Sequence, residues 1–124
     1  MFNAPDPAAV DQIISADFLY QATGLPEIRG GEKIKELINS VHRAFPDGRF
    51  VLEENVATAT GGVNRWTFSG TQQGEWMGFA PTNKLVRFTG STWVRTSGGR
   101  IVHQWCDWDV QGLLQQLSGG SGSV

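Results

Sequence analysis

The chain has a single cysteine, Cys106, and only two histidines, His42 and His103, among its 124 residues. One cysteine excludes an internal disulfide framework and a CxxC metal motif. Cys106, His42 and His103 show none of the ligand spacings of a zinc site, so no metal is expected. Charge is also sparse: 10 Lys and Arg against 12 Asp and Glu leave a net charge of −2, with no basic run. That balance lacks the electrostatic footprint needed for nucleic acid or an anionic membrane surface, and neither is expected as a partner. No apolar run reaches the length of a membrane span. Met1 to Asp6 carries neither the basic nor the apolar stretch of a signal peptide, and a reducing cytoplasm is the expected compartment.

Glycine and tryptophan are plentiful instead, at 16 and 5 residues. The length suits one domain, able to bury enough surface to need no covalent staple. We expect that domain over residues 1–117, followed by a flexible Gly/Ser tail over 118–124 that resembles a linker. The tryptophans must line a core, a pocket or a subunit interface, because exposing all of them would be costly.

Two periodicities divide the chain. Pro7 to Ser15 reads as a short helix, with Asp6 as N-cap and Pro7 in the first turn. Phe18 to Tyr20 reads as a brief extended piece before a turn-rich loop through Gly30. From Gly31 to Phe45, Ile34, Leu37, Ile38 and Val41 recur at helical spacing, with Lys33, Lys35 and Glu36 turned outward. His42 is expected at the margin of the core. Pro46-Asp47-Gly48 ends the helix, and the period then becomes two. Arg49 to Thr60, Val63 to Gln73, Lys84 to Ser97 and Arg100 to Asp109 read as four strands, the short breaks implying hairpins and a largely antiparallel sheet. Asp109 is placed to N-cap a final helix, Val110 to Leu117. The fold class is therefore α+β: a strongly curved, mainly antiparallel sheet with helices on its concave face.

Alternation assigns the faces. Trp66 and Phe68, Phe88 and Thr92, and Gln104, Cys106 and Trp108 fall on the concave side. Ile101, His103, Trp105 and Asp107 fall on the outer side, with Trp93 and Arg95. The outer tryptophans suggest a sheet-to-sheet homodimer.

The segments Ala44-Phe45-Pro46-Asp47, Gly70-Thr71-Gln72-Gln73-Gly74, Pro81-Thr82-Asn83-Lys84 and Gly99-Arg100-Ile101-Val102, with the ending Trp105 to Leu117, resemble successive landmarks of the SnoaL-like polyketide cyclases. These belong to the nuclear transport factor 2-like superfamily. The resemblance spans nearly the whole chain. It implies a cone-shaped fold and cofactor-free chemistry, an intramolecular aldol ring closure in which a pocket aspartate acts as acid and base. It also sets Cys106 at the aspartate position, Thr92 at that of an assisting histidine, and Tyr20 at a third, polar position. The related limonene epoxide hydrolases imply an aspartate at position 106 too.

Cys106 and Asp109 are therefore the catalytic candidates, each with a plainer reading. Cys106 is a nucleophile or base only if a cation lowers its pKa, and otherwise a small buried hydrophobe. Asp109 is an acid or a helix cap. The candidate ligand pocket comprises Tyr20, Trp66, Phe88, Thr92, Gln104 and Trp108, with Trp76 and Met77 from the loop after Gly74. These residues either box a flat ligand or simply fill the core. Glu75 is the carboxylate nearest a pocket mouth. Three functional readings follow: a cyclase, isomerase or epoxide-hydrolase-like enzyme acting on a hydrophobic, aromatic or polycyclic molecule; a non-catalytic binder of such a molecule; or an engineered scaffold of the same fold.

Overall fold

The structure, a computed structural model, describes residues 9–118. Its elements run α1 (Val10–Ile13), β1 (Ile14–Ala22), β2 (Ile28–Arg29), α2 (Gly31–Ala44), β3 (Arg49–Thr58), β4 (Gly61–Thr71), β5 (Leu85–Ser97), β6 (Arg100–Trp108) and α3 (Val110–Leu117). The six strands form one sheet in the order β2-β1-β6-β5-β4-β3. From β3 to β6 the sheet is the antiparallel meander that the alternating sequence implies.

The N-terminal third departs from expectation. The first helix is only Val10–Ile13, and Ile14 and Ser15 already belong to β1. The proposed cap Asp6 and Pro7 lie outside the described residues, as do residues 119–124 of the expected tail. The brief extended piece at Phe18 is the middle of a nine-residue strand. It runs parallel to β6, with Tyr20 opposite Gln104 and Ala22 opposite Cys106. β1 thus covers the edge that β6 would otherwise expose, a pairing set by distant residues and invisible to local periodicity. Its own outer edge takes the two-residue β2, with Leu19 opposite Arg29.

Helix α2 follows its pattern. Ile34 and Ile38 are buried, while Leu37 and Val41 reach the concave side of the sheet. His42 is exposed instead of marginal, because it lies one position beyond Val41 and so on the outward face. Lys35 is not simply solvated: its ammonium lies 2.7 Å from Asp11 and ties α2 to α1. The turn after α2 is fixed by Asp47, whose carboxylate accepts from the Thr71 N–H at 2.7 Å and hydroxyl at 2.8 Å. Those two bonds hold the Asp47 carboxyl below its ordinary range.

The face assignments need one correction. The β5–β6 register shifts between Arg95 and Thr96, so that Arg95 opposes His103 while Thr96 opposes Ile101. The extra residue turns Ile101 inward, onto the same side as Gln104 and Cys106, where strict alternation puts it outside.

Gly90 is paired across the sheet with Trp66 on one side and Trp108 on the other. A Cβ there would lie 2.5 Å from Trp66 Cζ2 and 2.8 Å from the Asp107 carbonyl oxygen. Gly90→Ala is therefore expected to cost about 1–3 kcal/mol of stability. A urea midpoint unchanged from wild type would show that the Trp66 ring is free to move aside.

Candidate functional site

The sheet and α2 line a cavity of about 380 Å³ that is open to solvent on one side. Cross-strand register builds its wall in rows: Trp66, Gly90 and Trp108; Asn64, Thr92 and Cys106; Val94, Gln104 and Tyr20. Leu37 and Val41 of α2 and Leu113 of α3 close it from the helical side.

Its aromatic side is a continuous series of ring contacts. Phe88 lies 5.1 Å from Trp108, 6.0 Å from Trp66 and 5.0 Å from Phe68, centroid to centroid. Phe50 joins at 5.0 Å from Trp66. The Trp108 indole N–H donates to the Thr23 carbonyl at 2.9 Å, which fixes the ring against the β1–β2 loop.

The polar side converges on one sulfur. The Trp66 indole N–H donates to Thr92 Oγ1 at 2.8 Å. The Thr92 hydroxyl in turn donates to Cys106 Sγ at 4.0 Å. Tyr20 makes a second side-chain hydrogen bond to Cys106. Burial raises the pKa of the Cys106 thiol, and the bonds from Thr92 and Tyr20 offset only part of that. The Tyr20 phenol is pushed far above its ordinary value, chiefly by burial and further by Cys106. Both groups therefore hold their protons at neutral pH. Among the described residues no Lys, Arg, His, Asp or Glu lines the cavity, so nothing there would lower the thiol's pKa in the manner of an activated cysteine.

All six candidate pocket residues, Tyr20, Trp66, Phe88, Thr92, Gln104 and Trp108, line this cavity together with Cys106. Asp109 does not. Its Oδ1 accepts from the Gly112 N–H at 2.9 Å, capping α3 in an exposed position. Glu75 is likewise turned away, its Oε2 accepting from the Gly78 N–H at 2.8 Å. Trp76 reaches the wall, whereas Met77 packs behind it against the core.

Two lining residues escaped the sequence reading although alternation marked them. Asn64 shares a face with Trp66 and Phe68, and Val94 shares one with Thr92. A third residue works from outside the cavity. Gln72 is wholly buried, and its Nε2 donates to the carbonyls of Gly74 and Phe79 at 3.0 and 3.1 Å. Its Oε1 accepts from the Thr82 N–H at 3.1 Å and hydroxyl at 2.7 Å. One amide thus organises the loop that presents Trp76.

The fold is of the ketosteroid isomerase-like kind. A sequence profile of the SnoaL-like polyketide cyclases matches residues 1–117, and the chain belongs to that family. No curated protein sequence matches it. Among solved structures it is similar to a protein of Jannaschia sp. CCS1 assigned as a SnoaL-like polyketide cyclase, with TM-score 0.87 and 15% identity over 94% of this chain and 81% of that one. It is also similar to AclR of Streptomyces galilaeus, assigned as a hydroxylase, with TM-score 0.82 and 25% identity over 99% and 76% of the two chains. IdmH of Streptomyces antibioticus, assigned as a polyketide cyclase, matches with TM-score 0.79 and 26% identity over 94% and 90%.

The raised values at Cys106 and Tyr20 fix the sign of a pH effect. On unfolding, both groups return to ordinary values of about 8.5 and 10, while the folded chain keeps its protons to higher pH. Stability that is intact at neutral pH should therefore fall as pH rises through that window, and Cys106→Ala should flatten the start of the fall. Iodoacetamide should modify Cys106 slowly through neutrality, with no inflection below about pH 8.5. An inflection well below that value would mean an activated thiol.

Proposed function

We propose that this chain is a small-molecule pocket protein that holds a hydrophobic, aromatic or polycyclic ligand against the Trp66, Phe88 and Trp108 wall. The observation that carries this reading is the mixed lining. A contiguous aromatic surface faces a short set of uncharged polar groups, the composition typical of small-molecule sites. A core that merely filled itself would leave no cavity of this size beside three large rings. A neutral anthraquinone should quench tryptophan fluorescence saturably, at one molecule per chain. Thr92→Phe, which fills the cavity from β5, should weaken that quenching strongly. Quenching that rises linearly without saturation would sink the reading.

A second reading, cofactor-free intramolecular aldol ring closure, is favoured by the family and by the likeness to IdmH. The likeness to AclR, assigned as a hydroxylase, is a reminder that one fold hosts several chemistries. Ring closure needs a group that accepts a proton near neutral pH. Cys106, which stands where the family resemblance implies an aspartate, is held protonated by burial. In this reading the cavity folds the substrate for closure, and the proton that leaves the substrate carbon passes to solvent at the open side of the pocket, because the thiol at position 106 supplies no base. The donors Thr92 and Tyr20 already converge on that position, so Cys106→Asp would receive its carboxylate in a site with two hydrogen bonds waiting.

For association we propose a homodimer through the convex face of the sheet. Trp93 there is 53% exposed, paired in register with Trp105. His103 stacks on Trp105 at 3.6 Å, and the Arg95 guanidinium lies 5.6 Å from the Trp105 ring centroid. The outer face carries Arg95 opposite His103, Asp107 opposite Ser91 and the Arg65–Glu54 pair, and such mixed charge is self-complementary under a two-fold axis. Trp105→Glu should shift the protein toward monomer in sedimentation. A wild type that is already monomeric at micromolar concentration would contradict the proposal.

A further inference from the structure

The sheet ends on β2 at one side and on β3 at the other. β2 has two residues, too short a strand to template another. β3 has ten, and every one except Phe50 is exposed. Its only strand partner is β4, so from Val51 to Thr58 its far side presents backbone N–H and C=O groups with no strand beyond them. Val51, Leu52 and Val56 on this strand are apolar and exposed, Val56 at 61%. A long, apolar, uncovered edge of this kind is a template for strand addition.

Two features of the strand oppose such addition. The register with β4 slips between Leu52 and Glu54, leaving Glu53 as an extra residue. The slip sets Glu53 and Glu54 side by side on the outer face. Glu53 Oε2 accepts from the Thr67 hydroxyl at 2.9 Å, and Glu54 Oε1 accepts from Arg65 Nε at 3.1 Å and Nη2 at 3.0 Å. Thr67 and Arg65 flank the inward-facing Trp66, so alternation turns both of them outward.

Register shows what these carboxylates do. Let a second β3 lie antiparallel along the edge with like faces matched. The pairing that uses the whole strand then sets Arg49 against Thr58 of the copy, Phe50 against Ala57, Val51 against Val56 and Leu52 against Asn55. Glu54 falls on the two-fold axis and meets its own copy, with Glu53 beside it. The Val51 and Val56 pairs on either arm favour this arrangement, and the glutamates gathered at its centre oppose it. Each copy brings only Arg65 to offset them.

We propose that β3 is a self-pairing edge for a second copy of this chain, and that Glu53 and Glu54 are the residues that hold it open. Edge pairing uses the free backbone side of β3, whereas a sheet-to-sheet dimer uses the outer face, so one contact does not exclude the other. A chain engaged in both would extend from dimer to dimer without closing, the outcome that two glutamates at a bulge prevent.

Sedimentation velocity at matched micromolar concentration reads the assembly. Glu53→Gln/Glu54→Gln removes the charge and keeps an acceptor for Thr67 and Arg65. Its self-association should exceed that of the wild type at least about tenfold. Glu54→Gln alone should move in the same direction by a smaller factor, and it serves where the double variant fails to fold. Glu53→Lys/Glu54→Lys again places like charges on the axis and should sediment as the wild type does. Hydrogen–deuterium exchange over residues 51–58 should slow in the assembled Gln variant and stay fast in the wild type. With Trp105→Glu added, the Gln variant should stop at a pair of chains; loss of all association there, or growth beyond a pair, would overturn the proposal. So would Gln variants that sediment as the wild type does, a Lys variant that assembles equally well, or assembly with no slowing of exchange over 51–58.

Discussion

A polar atom removed from water must find a partner, and much of this structure is arranged around that requirement. Gln72 shows it at full strength: with no exposure at all, its amide bonds to Gly74, Phe79 and Thr82, and the loop between β4 and β5 takes its shape from those bonds. The Trp66, Thr92, Cys106 and Tyr20 set shows it again inside the cavity, where each donor is directed at the next group along. Local satisfaction of this kind is what allows an otherwise apolar wall to contain polar side chains without losing stability. Against that background the Trp76 indole N–H stands out among the described residues as a buried donor that finds no acceptor.

The chemistry available to the site follows from its electrostatics more than from its shape. Burial makes the neutral forms of Cys106 and Tyr20 the stable ones, and no basic side chain among the described residues lies on the cavity wall to reverse that. A site so built is suited to holding and orienting an uncharged molecule, and poorly suited to removing a proton from it. Family membership and the likeness to cyclase structures describe the scaffold. The side chain at position 106 governs what that scaffold can do, and a thiol there differs from a carboxylate by several orders of magnitude in basicity at a given pH.

The chain itself determined the elements whose order is local. The 3.6-residue spacing of Ile34, Leu37, Ile38 and Val41 defined α2. The period-two pattern from Arg49 to Trp108 defined the meander, and Asp109 before Val110 marked the start of α3. Because strand alternation fixes which side chains share a face, it also grouped Trp66, Phe88, Thr92, Gln104, Cys106 and Trp108, and the structure gathers these around one cavity. Tertiary structure alone decided what depends on non-local pairing: the parallel seating of β1 on β6, the bulge that turns Ile101 inward, and the Lys35–Asp11 tie. It likewise decided that Gln72 is buried among carbonyls while Gln104 lines the cavity, since a glutamine reads the same in sequence whether its amide meets carbonyls, water or a cavity. The physical reason is common to all of these. Periodicity records the direction in which a side chain points, and only the assembled chain supplies the atom it meets there.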